Sequence, residues 1–94
     1  MARYMVTSWQ DIPSMVEARD DVARHKVQLS ARFQELIDHV AMRSKLAGTD
    51  AYLQQWKKQA GRQRDGSARQ VAQSVADELE ARFDSIKEQA MTRK

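Results

Sequence analysis

The spacing of the apolar residues changes at Ser30, and this change limits the chain to a mixed α+β fold. Before Ser30 the apolar residues lie in short runs such as "YMVTSW" at 4–9, which is typical of β-strands. After Ser30 they recur every three or four positions, which is typical of amphipathic helices. We therefore predict a small N-terminal antiparallel sheet over about residues 4–29, packed with three helices.

Three short segments before Ser30 have the composition or the alternation of strands, namely residues 4–9, 14–20 and 25–30. Between the first two, Asp11 is expected to bond to the backbone of a turn, and Pro13 has no N–H to give to a sheet. The sequence therefore predicts a sheet of about three strands whose first two strands are separated by a turn around Pro13.

Helices are predicted near residues 30–46, 50–59 and 67–90. Ser30 is placed to cap the first helix, and Ser67 with Gln70 fits the capping box of the third. The stretch "QAGRQRDGS" at 59–67 contains two glycines and alternating charges, which favours an exposed loop. Each of the two longer helices has one predicted face. In the first helix it consists of Phe33, Leu36, Ile37, Val40 and Ser44, and in the third of Val71, Val75, Leu79, Phe83 and Ile86.

The stretch "KLAGTDAYLQQW" at 45–56 is predicted to join the first two helices. Gly48 is suited to close one helix in the left-handed conformation. Thr49 can cap the next helix, and Asp50 follows in its first turn, where the helix dipole favours a negative charge. Tyr52 and Trp56 then share one face of the second helix.

The chain of 94 residues is predicted to form one domain, residues 1–94, with a thin core that a partner could help to cover. It has no cysteine, which excludes disulfides, a thiolate nucleophile and a cysteine zinc site. The N-terminus lacks the apolar run of a signal peptide, and no stretch approaches the roughly 20 apolar residues of a membrane span. We therefore expect a cytoplasmic protein that does not insert in a membrane.

The net charge of +3 comes from one segment. Residues 57–69 hold five of the 16 basic and one of the 13 acidic residues, so this segment carries +4 and the remaining chain −1. Trp56 precedes Lys57 and Lys58, and an aromatic ring beside cations is typical of an interface anchor, of a base-stacking platform, or simply of a core edge. The predicted partner-binding residues are Trp56, Lys57, Lys58, Arg62 and Arg64.

No cofactor or metal site is predicted. Glu35 and His39 are four residues apart and could share a helix face, but nothing nearby completes a set of metal ligands. The sequence has neither a phosphate-binding loop nor a pattern of catalytic residues. We therefore predict a non-catalytic protein that binds another protein, with nucleic-acid binding through 57–69 as the alternative.

Several motifs in order resemble the small bacterial "virulence factor" domain family, which occurs in conserved virulence factor C and in stand-alone proteins. The matching stretches are "SWQDIPSMV", "KVQLSARFQELIDHVAMR" and "GTDAYLQQW". They include a set of residues that we interpret as a structural motif, namely Trp9, Asp11, Pro13, Arg43, Gly48, Thr49, Asp50 and Tyr52.

This resemblance implies an accessory or interaction domain, because no catalytic residues are established for the family. Genes for similar stand-alone domains tend to lie among genes for folate- and corrinoid-linked one-carbon transfer. The resemblance therefore implies a protein partner such as a methylenetetrahydrofolate reductase or a corrinoid methyltransferase. It leaves the oligomeric state open.

The motif includes Arg43, whose position suggests a structural link. Its guanidinium could form a bidentate pair with the carboxylate of Asp11 or of Asp50, which would tie the first strand to the junction of the helices. We state this link as a hypothesis from the sequence.

Overall fold

The computed structural model describes residues 1–92, and this part of the chain forms a four-stranded antiparallel sheet and four helices. The strands lie in the order β3-β2-β1-β4. The α+β class is therefore confirmed, and the sheet has one strand more than predicted. The elements are β1 (Ala2–Trp9), β2 (Ile12–Arg19), β3 (Arg24–Gln28), α1 (Ala31–Arg43), α2 (Asp50–Gln54), β4 (Trp56–Arg64), α3 (Ala68–Ala81) and α4 (Phe83–Thr92).

The extra strand, β4, occupies the segment predicted to be the end of a helix and an exposed loop. It pairs antiparallel with β1, with Trp56 opposite Trp9 and Arg64 opposite Ala2. The helix predicted at 50–59 therefore ends at Gln54. Lysine, arginine and glutamine give this segment no strand propensity, so its conformation comes from pairing with a strand far away in the chain.

Gly61 lies at a bulge in β4. Between Gln59 and Arg62, two residues of β4 lie opposite Met5 alone. A Cβ atom added at Gly61 would lie 2.2 Å from the carbonyl oxygen of Tyr4, which is backbone and cannot move aside cheaply. The close approach of the two strands therefore requires glycine at this position.

The core lies between the sheet and the helices. Helix α3 packs on β1, β2 and β3. Trp9, Val16 and Ile37 have no exposed surface, and the rings of Phe33 and Phe83 meet edge to face at 5.0 Å. This packing confirms the predicted apolar face of α1 and ties α4 to it.

The junction after α1 differs from the prediction at one glycine. Helix α1 ends at Arg43, and Lys45, with φ of 60°, takes the left-handed conformation predicted for Gly48. Gly48, with φ of 76°, belongs to the turn that leads into α2. Thr49 caps α2 as predicted, because its hydroxyl accepts the N–H of Tyr52 at 3.3 Å.

The helix predicted at 67–90 is two helices, α3 and α4, which are separated at Arg82. The capping box of Ser67 and Gln70 is confirmed at the start of α3. At the start of α1, however, the Ser30 hydroxyl does not cap its own helix. It donates to the Glu80 carboxylate at 2.8 Å, and the backbone N–H of Ser30 donates to the same group at 2.7 Å.

Glu80 therefore joins the end of α3 to the start of α1. Arg32 also donates to its carboxylate, at 3.0 Å, and the Arg32 guanidinium lies 4.4 Å from the centre of the Phe83 ring. Partial burial raises the pKa of Glu80, but the hydrogen bonds from Ser30 and Arg32 outweigh burial, and the net pKa is lowered.

The turn between β1 and β2 is tighter than predicted. It contains only Gln10, with φ of 53°, and Asp11. Pro13 is inside β2, opposite Ser8, where the register between the two strands shifts. A proline is tolerated at such an irregularity because one ladder hydrogen bond is missing there in any case.

Asp20 connects the end of β2 to the start of α3. Its carboxylate accepts the N–H of Ala68 at 2.9 Å, of Val22 at 2.8 Å and of Ala23 at 2.7 Å. These bonds, that of Ala68 first, hold the pKa of Asp20 below its ordinary value. Folding therefore favours the charged form of Asp20.

The stabilising effect of Asp20 should depend on pH. It is fully present above the pKa of the unfolded chain and is lost as the pH falls through the lower pKa of the folded chain. We expect Asp20→Asn to be less stable than the wild type at pH 6, with a gap that narrows as the pH falls through the ordinary pKa of aspartate, about 3.9, and closes below the lower pKa of Asp20 in the folded chain. Urea unfolding across this range measures it, with Asp21→Asn as the control. A gap that stays constant would contradict the assignment.

Candidate interaction surface

The five predicted partner-binding residues all lie on β4, the edge strand beside β1: Trp56, Lys57, Lys58, Arg62 and Arg64. They do not form one patch. The alternation of side chains and the pairing with β1 place Trp56 and Lys58 on one face of the sheet, and the other three on the face that carries α3. The structure thus places the five residues on one edge strand, with side chains that point to opposite faces of the sheet.

Trp56 belongs to an aromatic cluster at one end of the sheet. The Trp9 indole N–H donates to the carbonyl oxygen of Tyr52 at 2.9 Å, and the centres of these two rings are 5.4 Å apart. The Tyr52 and Trp56 rings meet edge to face at 6.3 Å. Trp9 is fully buried and Trp56 half-buried, while Lys57 and Lys58 are exposed. Trp56 is therefore both a part of the core edge and accessible.

The sheet face turned away from α3 is strongly positive, and we call it the basic face. Residues that lie opposite each other on paired strands point to the same face of the sheet. The strand registers around Lys58 on β4 and Glu17 on β2 therefore show which charged side chains belong to this face. The basic face carries five cations and one carboxylate, and all five cations are exposed. They are Arg3, Arg19, Arg24, Lys26 and Lys58, with Glu17 as the carboxylate.

Three arginines form one row across the basic face. Arg3 lies directly opposite Arg19, and Arg19 directly opposite Arg24. Like charges that face each other across strands destabilise a sheet. The row therefore works against the stability of the fold, which makes it a candidate for a binding role.

Glu17 neutralises only part of this charge. Its side chain is 7% exposed and lies 3.5 Å from Arg24 and 3.7 Å from Lys58. In its own cross-strand row it lies between Met5 and Lys26. One carboxylate among five cations leaves this face with a net charge of +4, against +3 for the whole chain.

On the other face of the sheet, Arg64 has a structural role. It forms an ion pair with Glu78 of α3, in which Nη2 lies 3.1 Å from Oε1, and its guanidinium lies 5.2 Å from the centre of the Tyr4 ring. The pair raises the pKa of Arg64 and lowers that of Glu78. Arg64 therefore fastens β4 to α3, whereas Arg62 remains exposed.

A groove of about 490 Å³ lies between α1 and α4, with Leu36, Phe83 and Met91 in its lining. Glu35 and His39 also line it. Within residues 1–92, no three histidine, aspartate or glutamate side chains come together in a way that could hold a metal ion.

The Arg43 guanidinium has a partner that the sequence hypothesis did not include. It donates to the backbone carbonyl of Met91 at 2.9 Å and so joins α1 to α4. None of the helices in the described part of the chain has the length and hydropathy of a membrane span.

Comparison with known proteins supports the resemblance found in the sequence. The sequence profile of a family described as "Virulence factor" matches residues 7–91, from the middle of β1 to the end of α4. Searches of curated proteins and of solved structures found no match.

Proposed function

The chain belongs to the Virulence factor family, and we propose that it is a non-catalytic interaction domain whose basic face docks on an acidic surface of a partner protein. The observation that carries this proposal is the exposed row of Arg3, Arg19 and Arg24, in which Arg24 alone is paired with a carboxylate of the sheet, that of Glu17. Guanidinium groups match carboxylates, which they bind through two parallel hydrogen bonds.

The neighbours of the row favour a protein as the partner. Half-buried Met5 and Met15 lie between the cations of the basic face, and Trp56 lies at its end. Methionine, tryptophan and arginine are the side chains enriched at protein–protein interfaces. Mixed apolar and cationic contacts of this kind suit a folded acidic surface.

We further propose that the partner is a one-carbon enzyme, such as a methylenetetrahydrofolate reductase or a corrinoid methyltransferase, because the family resemblance implies such a setting. A tagged copy of the chain should capture one such enzyme from a bacterial lysate, as identified by mass spectrometry. Capture of a different acidic protein would overturn the one-carbon assignment alone. Recovery of the bait by itself would count against the interaction domain as a whole.

Arg19 lies in the middle of the row, so its substitution tests whether the row contributes to the stability of the fold. We expect Arg19→Gln to leave the free energy of unfolding unchanged or to raise it by about 0.2–1 kcal/mol, because it removes the repulsion between Arg19 and the arginines on both neighbouring strands. Urea unfolding measures the change, and Arg69→Gln on the exposed surface of α3 is the matched control. A clear loss of stability in Arg19→Gln but not in Arg69→Gln would show that the row stabilises the fold.

Nucleic-acid binding is the second candidate, because a face with a net charge of +4 also attracts phosphates. Sheets that bind single strands stack bases on aromatic side chains of their central strands. In this sheet the corresponding positions are Met5, Thr7, Met15 and Glu17, which cannot stack bases. A mobility shift at low salt that fades steeply with added salt would support this candidate. No shift on several DNA and RNA sequences would eliminate it.

A further inference from the structure

An open trough runs beside β4 on the face of the sheet opposite the basic face. It consists of two adjoining cavities of about 300 Å³ and about 200 Å³, which share Val6, Gln59, Leu79 and Arg82 in their linings. The trough exists because α3 packs on β1, β2 and β3, while β4 extends beyond the helix as the edge strand.

The lining of the trough combines an apolar floor with three arginines and two carboxylates, which are Arg62, Arg64, Arg82, Glu78 and Asp11. Arg64 is paired with Glu78. Val6, Val75 and Leu79 contribute apolar surface, and Ile86 extends it into the smaller cavity. Arg62 and Arg82 are exposed on the rim, where their guanidinium groups can meet an incoming anion. This pattern fits a ligand in which apolar and acidic groups alternate.

The trough adjoins a strand edge that is available for pairing. Within residues 1–92, β4 pairs with β1 and has no strand on its other side. Such an edge can accept an extended peptide as an additional strand. Lysines and arginines along β4, together with the bulge at Gly61, disfavour pairing with a second basic copy of β4, whereas an acidic strand would be attracted.

We propose that the edge of β4 and the trough together bind an extended acidic segment of a partner protein as a fifth strand. Side chains at every second position of the segment point into the trough, since successive residues of a strand face opposite ways. Its acidic side chains pair with Arg62 and Arg82, and its apolar side chains enter the trough towards Leu79. This site is separate from the basic face and goes beyond the function proposed above.

A short synthetic peptide tests this site directly. The probe is fluorescein-labelled Thr-Glu-Val-Glu-Val-Glu-Thr, and binding to the full chain is followed by fluorescence anisotropy. We expect saturable binding that the Arg62→Gln, Arg82→Gln double variant weakens at least about tenfold, because two charge-assisted contacts are lost. Arg69→Gln should bind as the wild type does, and circular dichroism confirms that each variant is folded.

Strand addition has its own readout. In an added strand, only every second backbone N–H of the peptide faces β4. Two peptides are therefore compared, one N-methylated at the odd and one at the even positions, with the same side-chain charge. We expect only the peptide that loses the N–H groups facing β4 to bind more weakly. Equal affinity of wild type and double variant, equal affinity of all methylated peptides, or no saturation at about 1 mM peptide would each overturn the proposal. Sedimentation that shows a dimer which dissociates in the double variant would assign the edge to a second copy instead, and would also overturn it.

Discussion

Replacing Trp9 by alanine is expected to lower the free energy of unfolding by about 3–5 kcal/mol, the range for removal of a large buried aromatic side chain. Trp9 has no exposed surface, its indole N–H binds the Tyr52 carbonyl at 2.9 Å, and its ring contacts that of Tyr52. Because small domains have only about 5–15 kcal/mol of stability, this variant should be close to unfolding at room temperature. Urea unfolding followed by circular dichroism measures the loss.

Trp9→Phe is the matched control for this result. It keeps an aromatic ring in the cluster but loses the N–H donor and leaves the Tyr52 carbonyl without that partner. Its stability should fall between those of wild type and Trp9→Ala. A loss below about 1 kcal/mol in Trp9→Ala would show that the cluster is not part of the core.

Replacing Gly61 by alanine is expected to cost about 1–3 kcal/mol, because the added Cβ has no room. It would lie 2.2 Å from the Tyr4 carbonyl oxygen and 2.7 Å from Cγ of Arg3, so β1 and β4 would have to separate locally. The melting temperature of a domain of this size should then fall by roughly 4–8 °C per kcal/mol.

Gln63→Ala, on the same strand and exposed, is the control and should leave the melting temperature nearly unchanged. Gly61→Ala should also weaken any binding that uses the edge of β4, because the strand would no longer lie flat against β1. If Gly61→Ala has the same melting temperature as the wild type, the bulge and the close approach of β1 and β4 described above are incorrect.

Local signals in the sequence predicted local structure well. The alternation of Val16 and Ala18 identified β2, and the hydroxyls of Thr49 and Ser67 identified the starts of α2 and α3. Glycine adopts the left-handed conformation most easily, which predicts Gly48 as the residue that closes α1, yet Lys45 closes it. The backbone N–H of Leu46 donates to the carbonyl oxygen of Ala41 at 2.8 Å, and no residue type in the sequence signals this bond.

Non-local pairing explains most of what was missed. β4 has no apolar alternation, and only its position against β1 makes it a strand. The basic face was missed for the same reason. Arg3, Arg19 and Arg24 are scattered along the chain, and only the registers of β1 with β2 and of β2 with β3 bring them into one row. The local charge in the sequence pointed to β4, which supplies Lys58, one of the five cations of the basic face.

The most direct test of the proposed docking is a titration of the captured partner protein against the wild type, Arg19→Gln and Arg69→Gln. Because Arg19 is central to the row and both of its neighbours are arginines, its neutralisation should weaken binding at least about tenfold, or about 1.4 kcal/mol. Arg69→Gln should bind within about twofold of the wild type. Equal affinity of Arg19→Gln and the wild type would contradict docking through the basic face.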